Sequence, residues 1–471
     1  MPSQRAVRRL IAVVAVLASV AFAPAAQAGG FDVFTPTGSL VTPRLQETAS
    51  VLPSGKVLFA GGTISGGVTA TTELYDPATG LFAKTGDLAT ARSEAAAAVL
   101  PSGKILIAGG YEGTAGVLAS AEIYDPATGL FTSTGNLSEA RRGATASVLT
   151  SGKVLIAGGI NGSSAILNTA ELYDPVKGVF TPAGSPLINA RYGATALTLP
   201  SGKVLLSGGV ESVGGFSTAE KGLTSAELYD PGTGLFTATG SLSTVRNGAT
   251  ATVLSGGKVL VVGGRGNKMS PYTQPDVLAS AELYDPKTGL FTATGNLIDP
   301  RFDATASALP NGKVLIAGGK DKSGSLARSE LYDPTTGLFA RTGDLITART
   351  EALAVVLRSG KVLIVGGTSN WSATLGWAEL YTPTPAKPAA PAVKWSTDKK
   401  KQVVTATVDS VSGVSYSLSA KLGSKTRTGV CKTKGAKAVC TLAPGKGKWS
   451  FSLTPRNAGG SGPANVKAIK L

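Results

Sequence analysis

A glycine pair recurs seven times along the chain and constrains its fold more than any other feature. In chain order the pairs end at Gly62, Gly110, Gly159, Gly209, Gly264, Gly319 and Gly367. Their mean spacing is about 51 residues, a period typical of propellers and solenoids. Each pair closes a run such as 57–60 or 259–262 that is continuously apolar. Such a run predicts a strand that is buried on both faces.

The segments around each glycine pair predict three more strands. An Ala- and Thr-rich stretch such as 144–148, followed by a Ser-Gly or Asn-Gly turn, predicts a hairpin before the pair. After the pair come a variable loop, a Glu-Leu-Tyr or Glu-Ile-Tyr segment, in most copies an Asp-Pro-x-x-Gly turn, and a short strand that contains Phe. Each repeat therefore predicts four antiparallel strands, which we name a to d in chain order.

The order of the strands predicts a closed ring. The d strands are marked by Phe34, Phe82, Phe131, Phe180, Phe236, Phe291 and Phe339, and the first of them precedes every a strand. The seventh repeat therefore lacks a d strand of its own. Placing residues 31–38 beside 379–382 completes it and leaves no open sheet edge. A linear stack of repeats would leave this first strand unused.

These features give residues 31–383 a resemblance to kelch repeats, as in the central domain of galactose-oxidase-like proteins. The double glycine, the Tyr after an acidic residue and the aromatic of strand d carry the resemblance, which implies a seven-bladed β-propeller. The repeats differ from the kelch pattern in having Phe where Trp is common. They also have Ala or Glu three residues after a repeated Arg, where bacterial kelch-like repeats often have His.

The remainder of the chain predicts an export signal, a linker and a second domain. Residues 1–28 combine three arginines, an apolar stretch and Ala26-Gln27-Ala28, which is typical of a cleaved signal peptide. The propeller is expected over 29–383, and a Pro- and Ala-rich linker over 384–392. Residues 393–471 predict a small β-sandwich whose segment 449–462 resembles the late strands of a fibronectin type III domain. The predicted fold class is thus all-β, with a propeller closed by its N-terminal strand and followed by a β-sandwich.

Charge and cysteines set the C-terminal region apart. Residues 384–471 carry 16 Lys and Arg against 2 Asp and Glu, so we expect contact with anionic envelope polymers. Solvated lysines that serve only solubility are the alternative. Cys431 and Cys440 are the only cysteines, and export predicts a disulfide between them. No recognised nucleic-acid motif is present, and we expect no nucleic-acid partner.

One Arg and one Glu recur at fixed positions of every repeat. The arginines precede strand a: Arg44, Arg92, Arg141, Arg191, Arg246, Arg301 and Arg349. The glutamates lie in strand c: Glu73, Glu122, Glu171, Glu227, Glu282, Glu330 and Glu379. They form either a cationic ring that attracts polyanions or structural Arg–carboxylate pairs, and their equal numbers favour the pairs. Seven lysines that open the b strands are expected to stay solvated.

Function is expected where the repeats differ, on the face that carries the d-to-a and b-to-c loops. The candidate ligand-binding residues there are Tyr111, Glu112, Arg142, Tyr192, Arg265, Asn267, Phe302, Asp303 and Trp371. Tyr272 and Trp377 are expected on or near the same face. Exposed aromatic rings beside hydrogen-bonding groups suit a sugar or a peptide, although ordinary loop packing is the alternative role for each of them.

Two functions remain open at this stage. The first is a secreted, non-catalytic and monomeric binding protein without a cofactor, whose loop face takes a glycan or a protein. The second is a polysaccharide hydrolase or lyase that uses loop-face carboxylates. A copper radical oxidase of the galactose-oxidase kind is excluded, because the chain has no His and the propeller has no Cys. No metal site is expected for the same reason.

Overall fold

All regular structure in the described part of the chain is β-strand, which confirms the predicted fold class. The structure is a computed structural model that describes residues 32–212, 221–267, 275–370 and 373–385. In the C-terminal region it describes 392–398, 400–411, 413–422, 424–434, 437–444, 448–457 and 459–470. The predicted signal peptide and most of the predicted linker lie outside these ranges. The predicted domain boundaries therefore stay predictions.

Seven antiparallel sheets of four strands form the blades, numbered by their a strands in chain order. The a strands are Thr48–Val51, Ala96–Val99, Thr145–Val148, Thr195–Thr198, Thr250–Val253, Thr305–Ala308 and Leu353–Val356. The b strands are Val57–Ala60, Ile105–Ala108, Val154–Ala157, Val204–Ser207, Val259–Val262, Val314–Ala317 and Val362–Val365. The c strands are Thr72–Asp76, Ala121–Asp125, Ala170–Asp174, Ala226–Asp230, Ala281–Asp285, Ser329–Asp333 and Trp377–Thr382. The d strands of blades 1 to 6 are Leu81–Lys84, Leu130–Ser133, Val179–Pro182, Leu235–Ala238, Leu290–Ala293 and Leu338–Arg341.

The N-terminal strand completes blade 7 and closes the ring, as the strand order predicts. Val33–Ser39 pairs antiparallel with Trp377–Thr382, with Phe34 opposite Tyr381. The rings of Phe34 and Tyr381 pack with their centroids 5.0 Å apart, as the Phe and Tyr of strands d and c do in the other blades. The a strands of successive blades contact each other around the axis, and that of blade 7 contacts that of blade 1. The propeller is therefore closed.

The core of the propeller lies between neighbouring blades. Every residue of the seven b strands is buried, because each b strand is covered on both faces by adjacent blades. Across the closing interface, for example, Val57 and Phe59 of blade 1 share one cluster with Leu363 and Val365 of blade 7. Small Ala, Ser and Thr side chains predominate in the a strands, where seven strands converge on the axis.

The two ends of the propeller differ in their loops. The d-to-a and b-to-c connections lie at one end, which we call the loop face. The a-to-b turns and the c-to-d turns lie at the other end, which we call the turn face. Among the described residues, three b-to-c loops contain short hairpins, formed by Thr63–Ile64 with Gly67–Val68, Val210–Ser212 with Lys221–Gly222, and Thr368–Ser369 with Ala373–Thr374.

The C-terminal region is an antiparallel sheet that curls into two layers and fits a β-sandwich. Its strands lie in the order Lys394–Asp398, Val403–Asp409, Lys437–Leu442, Lys425–Lys434, Ser415–Leu422, Lys448–Asn457 and Asn465–Lys470, with the short strand Gly460–Ser461 pairing beside Lys448–Asn457. Residues 425–429 pair with Ser415–Leu422, whereas residues 430–434 pair with Lys437–Leu442. This one strand therefore joins the two layers, around a core that includes Trp449 and Phe451. The fibronectin type III resemblance stays a prediction.

The predicted disulfide is present in this region. Cys431 and Cys440 lie opposite each other on paired strands, with an Sγ–Sγ distance of 2.09 Å. The disulfide therefore links two neighbouring strands of the same layer. Such a bond is compatible with an oxidising, extracellular environment. Within the described ranges, the chain forms no helix of the length and apolar character that a bilayer crossing requires.

Candidate functional site

Each repeated Arg is buried against the repeated Glu of its own blade. In blade 1, Nη2 of Arg44 lies 2.7 Å from Oε1 of Glu73, and its Nη1 donates to the carbonyls of Gly61 and Thr71. The carboxylate of Glu73 also accepts hydrogen bonds from the backbone amides of Val41 and Thr42. These amides belong to the loop that arrives from the preceding blade. One pair therefore joins strand c, the b-to-c glycine and the d-to-a loop.

The same pair recurs in all seven blades. The nitrogen–oxygen distances are 2.6–3.1 Å in six of them, and Arg191 contacts Glu227 in blade 4. All seven arginines are at most 3% exposed. Burial lowers the pKa of the Arg92 guanidinium, and the charge of Glu122 opposes that shift. Because these arginines are buried, they do not present a cationic ring to a polyanion. They form the structural Arg–carboxylate pairs of the second alternative.

The loop face converges on a ring of left-handed residues around the propeller axis. These residues lie two positions after each repeated Arg and are Gln46, Glu94, Gly143, Gly193, Gly248, Asp303 and Glu351, all with φ of 51–64°. Four backbone hydrogen bonds run from blade to blade along this ring, such as Glu94 N to Gln46 O and Gly143 N to Glu94 O. We call this ring the axial ring. Its three acidic members face a set of variable side chains.

The first group of side chains at the axial ring surrounds Arg142. Nη1 of Arg142 lies 2.8 Å from both carboxylate oxygens of Glu94, and Tyr192 donates its hydroxyl to the same carboxylate at 3.1 Å. The guanidinium carbon lies 5.8 Å from the ring centroid of Tyr111 and 6.0 Å from that of Tyr192. Burial, followed by the charge of Glu94, raises the pKa of Tyr192 to about 12. We call these four residues the Arg142 cluster.

A glycine makes room for the Arg142 cluster. A Cβ atom on Gly143 would lie 2.1 Å from Cε2 of Tyr192, so the tyrosine ring covers this position of the axial ring. The φ of Gly143 is 60°, which also disfavours a side chain. Tyr111 remains 37% exposed and the side chain of Arg142 remains 30% exposed. The cluster is thus held in place yet accessible.

The second group lies across blades 5 to 7 and centres on Lys320. Its Nζ lies 3.3 Å from Asp303 and 3.4 Å from Glu351, and it sits 4.8 Å from the ring centroid of Phe302. The guanidinium of Arg265 lies 5.4 Å from the same ring. Burial raises the pKa of the Asp303 carboxyl, Lys320 opposes the shift, and Glu351 adds to it. We call these five residues the Lys320 cluster.

The other predicted residues do not join these clusters. Glu112 accepts a hydrogen bond from the amide of Ala115 and so closes its own loop. Asn267 accepts one from the amide of Gly222, which ties two neighbouring loops together. Trp377 is 49% exposed in strand c of blade 7. Trp371 and Tyr272 lie outside the described residues.

Sequence reasoning missed Glu94, Lys320 and Glu351. One signal could have found the first and third of them. The position two residues after the repeated Arg is Gly in three repeats, and Gly at a repeated position indicates a positive φ. An acidic residue at the same position in another repeat must therefore adopt a strained backbone conformation. Such strain often occurs at functional sites. Lys320 directly follows a glycine pair, a position that holds a different residue type in most repeats.

A third departure from the repeat is buried between blades 7 and 1. Glu47 occupies the position that is Ala in the other six repeats, and it is 7% exposed. Its Oε1 has no hydrogen-bond partner among the residues that the structure describes. A Cβ on Gly366 of blade 7 would lie 3.0 Å from this oxygen. Burial raises the pKa of Glu47 to about 7, although its own backbone amide and Arg44 oppose the shift.

Comparisons with known proteins agree with this architecture. The kelch motif model matches residues 92–138 and 141–187, which are blades 2 and 3. A fungal alcohol oxidase of the AA5 family, solved in complex with copper, has a TM-score of 0.59 and 18% identity, covering 94% of this chain and all of its own. The structure of YjhT has a TM-score of 0.51 and 15% identity, covering 64% of this chain and 99% of its own. No curated protein sequence matches the chain.

The chain is therefore a seven-bladed β-propeller that carries a C-terminal β domain. More specifically, it is a kelch-type propeller, as its repeats predict. The likeness to the copper enzyme, at 18% identity, is a likeness of fold. The chain has no His, its two cysteines form a disulfide, and the described residues contain no group of three or more His, Cys, Asp or Glu side chains that could hold a metal ion.

The Arg–Glu pairs lead to a test of stability. We expect Arg246→Ala to lower the free energy of unfolding by about 3–5 kcal/mol, because it leaves the carboxylate of Glu282 buried without its cation. Urea denaturation measures the change. Arg341→Ala, in the outer d strand of blade 6, is the control, since its side chain is 42% exposed and the loss of its ion pair with Asp299 is expected to change the free energy of unfolding by at most about 1 kcal/mol. Unchanged stability of Arg246→Ala together with lost polyanion binding would restore the cationic-ring alternative.

Glu47 leads to a test of pH dependence. Its carboxyl has a pKa of about 7 in the folded chain against 4.5 in the unfolded chain, so between these pH values the folded state holds a proton that the unfolded state releases. Its contribution to stability is present below about pH 4.5 and is lost as the pH rises through about 7. We expect Glu47→Gln, compared with the natural chain, to be more stable by about 3 kcal/mol at pH 8 but not at pH 4.5. A difference between the two proteins that is equal at both pH values would contradict this assignment.

Proposed function

We propose that the chain is an exported binding protein whose loop face takes a glycan through the Arg142 cluster. The observation that carries this proposal is the guanidinium of Arg142, held beside two tyrosine rings by the carboxylate of Glu94. Aromatic rings next to fixed hydrogen-bonding groups are the usual components of a sugar site. The contacts exist before any ligand arrives, so little side-chain entropy remains to be lost on binding.

The position of the cluster supports the same proposal. Tyr111, Arg142 and Tyr192 come from three successive blades and meet beside the axial ring, whereas the repeated residues of these blades are committed to the Arg–Glu pairs. Side chains that can vary without loss of the fold are thus gathered at one accessible place. A peptide could use the same tyrosines, and a protein partner is an outcome that the experiment below separates.

The Lys320 cluster favours the alternative, a hydrolase or lyase that acts on polysaccharide. Asp303 and Glu351 share one lysine, and burial raises the pKa of Asp303, as a proton-donating carboxyl requires. Lys320 itself is only 5% exposed and is committed to these two carboxylates. We place binding first because the accessible side chains are aromatic and the charged ones are already paired.

The C-terminal region is proposed to hold the protein to anionic polymers of the cell envelope. The strand Lys425–Lys434 carries three exposed cations among the described side chains, at Lys425, Arg427 and Lys432. The propeller, in contrast, has 26 basic and 27 acidic residues over 29–383 and is close to neutral. Export by the predicted signal peptide is part of this proposal, and the disulfide is compatible with it.

The loop-face proposal is tested with an immobilised panel of polysaccharides. We expect Tyr111→Ala and Arg142→Ala each to weaken retention of the full chain on the bound glycan by at least about tenfold, since each removes a main contact surface. Arg341→Ala removes an equal charge from the outer edge of blade 6 and should bind like the natural chain.

Three other outcomes of this panel have defined meanings. Retention that survives both substitutions would refute the Arg142 site. Absence of retention on every glycan, with capture of a peptide that depends on Tyr111, would replace the glycan by a protein partner. Release of new reducing ends or unsaturated sugars, abolished by Asp303→Asn in a folded chain, would establish the enzyme alternative.

The envelope proposal is tested by salt and by charge. The triple variant Lys425→Gln, Arg427→Gln, Lys432→Gln should lose most of its retention on an anionic cell-wall polymer. Retention of the natural chain should fall steeply between about 0.05 and 0.5 M salt, because the screening length shrinks. A propeller triple variant, Lys84→Gln, Lys177→Gln, Lys287→Gln, removes three exposed cations as a control. Equal losses in both triple variants would argue against a dedicated C-terminal contact.

A further inference from the structure

The turn face carries grooves between neighbouring blades, and a repeated ion pair lies beside them. The lysine at the start of strand b pairs with the aspartate at the end of strand c in blades 1 to 6, with nitrogen–oxygen distances of 2.9–3.5 Å. These lysines are half-exposed rather than fully solvated. In the groove between blades 4 and 5, of about 430 Å³, Lys203 pairs with Asp230 and Lys258 with Asp285.

Blade 7 departs from this pattern because of the way the ring closes. Its d strand comes from the N-terminus, so its c strand does not run into an Asp-Pro turn and ends at Thr382. Thr382 stands where the other c strands have the paired aspartate. Lys361 is nevertheless present at the start of strand b. Within the described ranges, no carboxylate lies at salt-bridge distance from it.

A second cation enters the same groove. Arg358 occupies the hairpin position that holds an uncharged residue in the other blades, namely Pro53, Pro101, Thr150, Pro200, Ser255 and Pro310. Its stem crosses to blade 1, since a Cβ on Gly55 would lie 3.3 Å from Cδ of Arg358. Pro53 makes the corresponding contact with Gly103 across the next interface. Among the described residues, Arg358 also has no carboxylate partner.

We propose that this groove between blades 7 and 1 is a binding site for a phosphoryl group. Its volume is about 370 Å³, and its lining includes Ser54, Lys56, Arg358, Ser359 and Lys361. Lys56 is neutralised by Asp76 at 3.0 Å, and no other carboxylate of the described residues pairs with Arg358 or Lys361. Compared with the groove between blades 4 and 5, this groove has gained an arginine, has lost the aspartate that pairs with the first lysine, and has Ala78 in place of Lys287, a net difference of one positive charge.

The donors that line the groove favour a phosphoryl group over other anions. Arg358 can offer two parallel N–H donors, and Lys361 adds a point charge. The hydroxyl oxygens of Ser54 and Ser359 accept hydrogen bonds from the amides of Lys56 and Lys361, so their protons are directed to other acceptors. Four donor groups suit the three or four oxygens of a phosphate better than the two of a carboxylate. The site does not depend on the loop-face proposal.

Equilibrium dialysis of the full chain against radiolabelled inorganic phosphate tests the site at constant ionic strength. We expect the double variant Arg358→Gln, Lys361→Gln to bind phosphate at least about tenfold more weakly than the natural chain. Arg358 is exposed, and Lys361 is partly exposed, so the variant should fold normally. The matched control, Lys203→Gln, removes a lysine of the same repeat position that is paired with Asp230, and it should bind phosphate like the natural chain.

A second variant restores the missing partner instead of removing the cations. Thr382→Asp places a carboxylate at the end of strand c of blade 7, where Asp76 pairs with Lys56 in blade 1. We expect it to weaken phosphate binding by at least about tenfold while the circular dichroism spectrum stays unchanged. Acetate should compete at least about tenfold less effectively than phosphate. If poly(glycerol phosphate) competes with inorganic phosphate, the ligand is a phosphodiester polymer. If phosphate binds but poly(glycerol phosphate) does not compete, the ligand is free phosphate.

Three results would overturn the proposal. The first is the absence of phosphate binding by the natural chain. The second is binding that persists in the double variant, or that falls equally in Lys203→Gln. The third is binding that disappears only when Lys425, Arg427 and Lys432 are replaced, which would place the phosphate on the C-terminal domain.

Discussion

The pairing of the N-terminal strand with the last c strand is the contact on which the remaining structure depends. It converts seven separate sheets into a ring whose first and last blades share a hydrophobic interface. A sheet edge in blade 7 would otherwise expose the backbone donors and acceptors of Trp377–Thr382. The closure also breaks the sevenfold repeat, because blade 7 has no c-to-d turn. Two consequences of that break lie beside the same interface: Lys361 has no carboxylate partner among the described residues, and Thr382 stands where the other c strands have an aspartate.

The buried Arg–Glu pairs explain how a propeller with such short strands can hold its loops. Taking an ion pair out of water is costly, and the cost is offset only when further hydrogen bonds satisfy both partners. Each pair here receives such bonds from two backbone carbonyls and, in most blades, two backbone amides, although Nε of Arg191 and of Arg349 has no hydrogen-bond partner among the described residues. The loop from one blade is thereby fixed to strand c of the next. Residues adjacent to the pair are then free to vary, and they do so on the loop face.

The two loop-face clusters differ in what they leave accessible. In the Arg142 cluster, charge is neutralised by Glu94 and the tyrosine ring of Tyr111 stays exposed. In the Lys320 cluster the cation is buried and two carboxylates share it. The first arrangement suits recognition, whereas in the second burial raises the pKa of the Asp303 carboxyl. Both are built from several blades, so neither could form on an isolated repeat.

The sequence by itself determined the number of blades, the strands of each repeat, the closure and the disulfide, because each depends on local patterns or on counting. It also indicated the loop face, and Tyr111, Arg142, Tyr192, Arg265, Phe302 and Asp303 do meet there. Only the tertiary structure decided that Glu94, Lys320 and Glu351 join them, that Glu112 and Asn267 serve their own loops, and that Glu47 is buried beside blade 7. The physical reason is distance along the chain. Contacts such as Tyr192 with Glu94 join residues 98 positions apart, and their geometry is set by the rotation from one blade to the next.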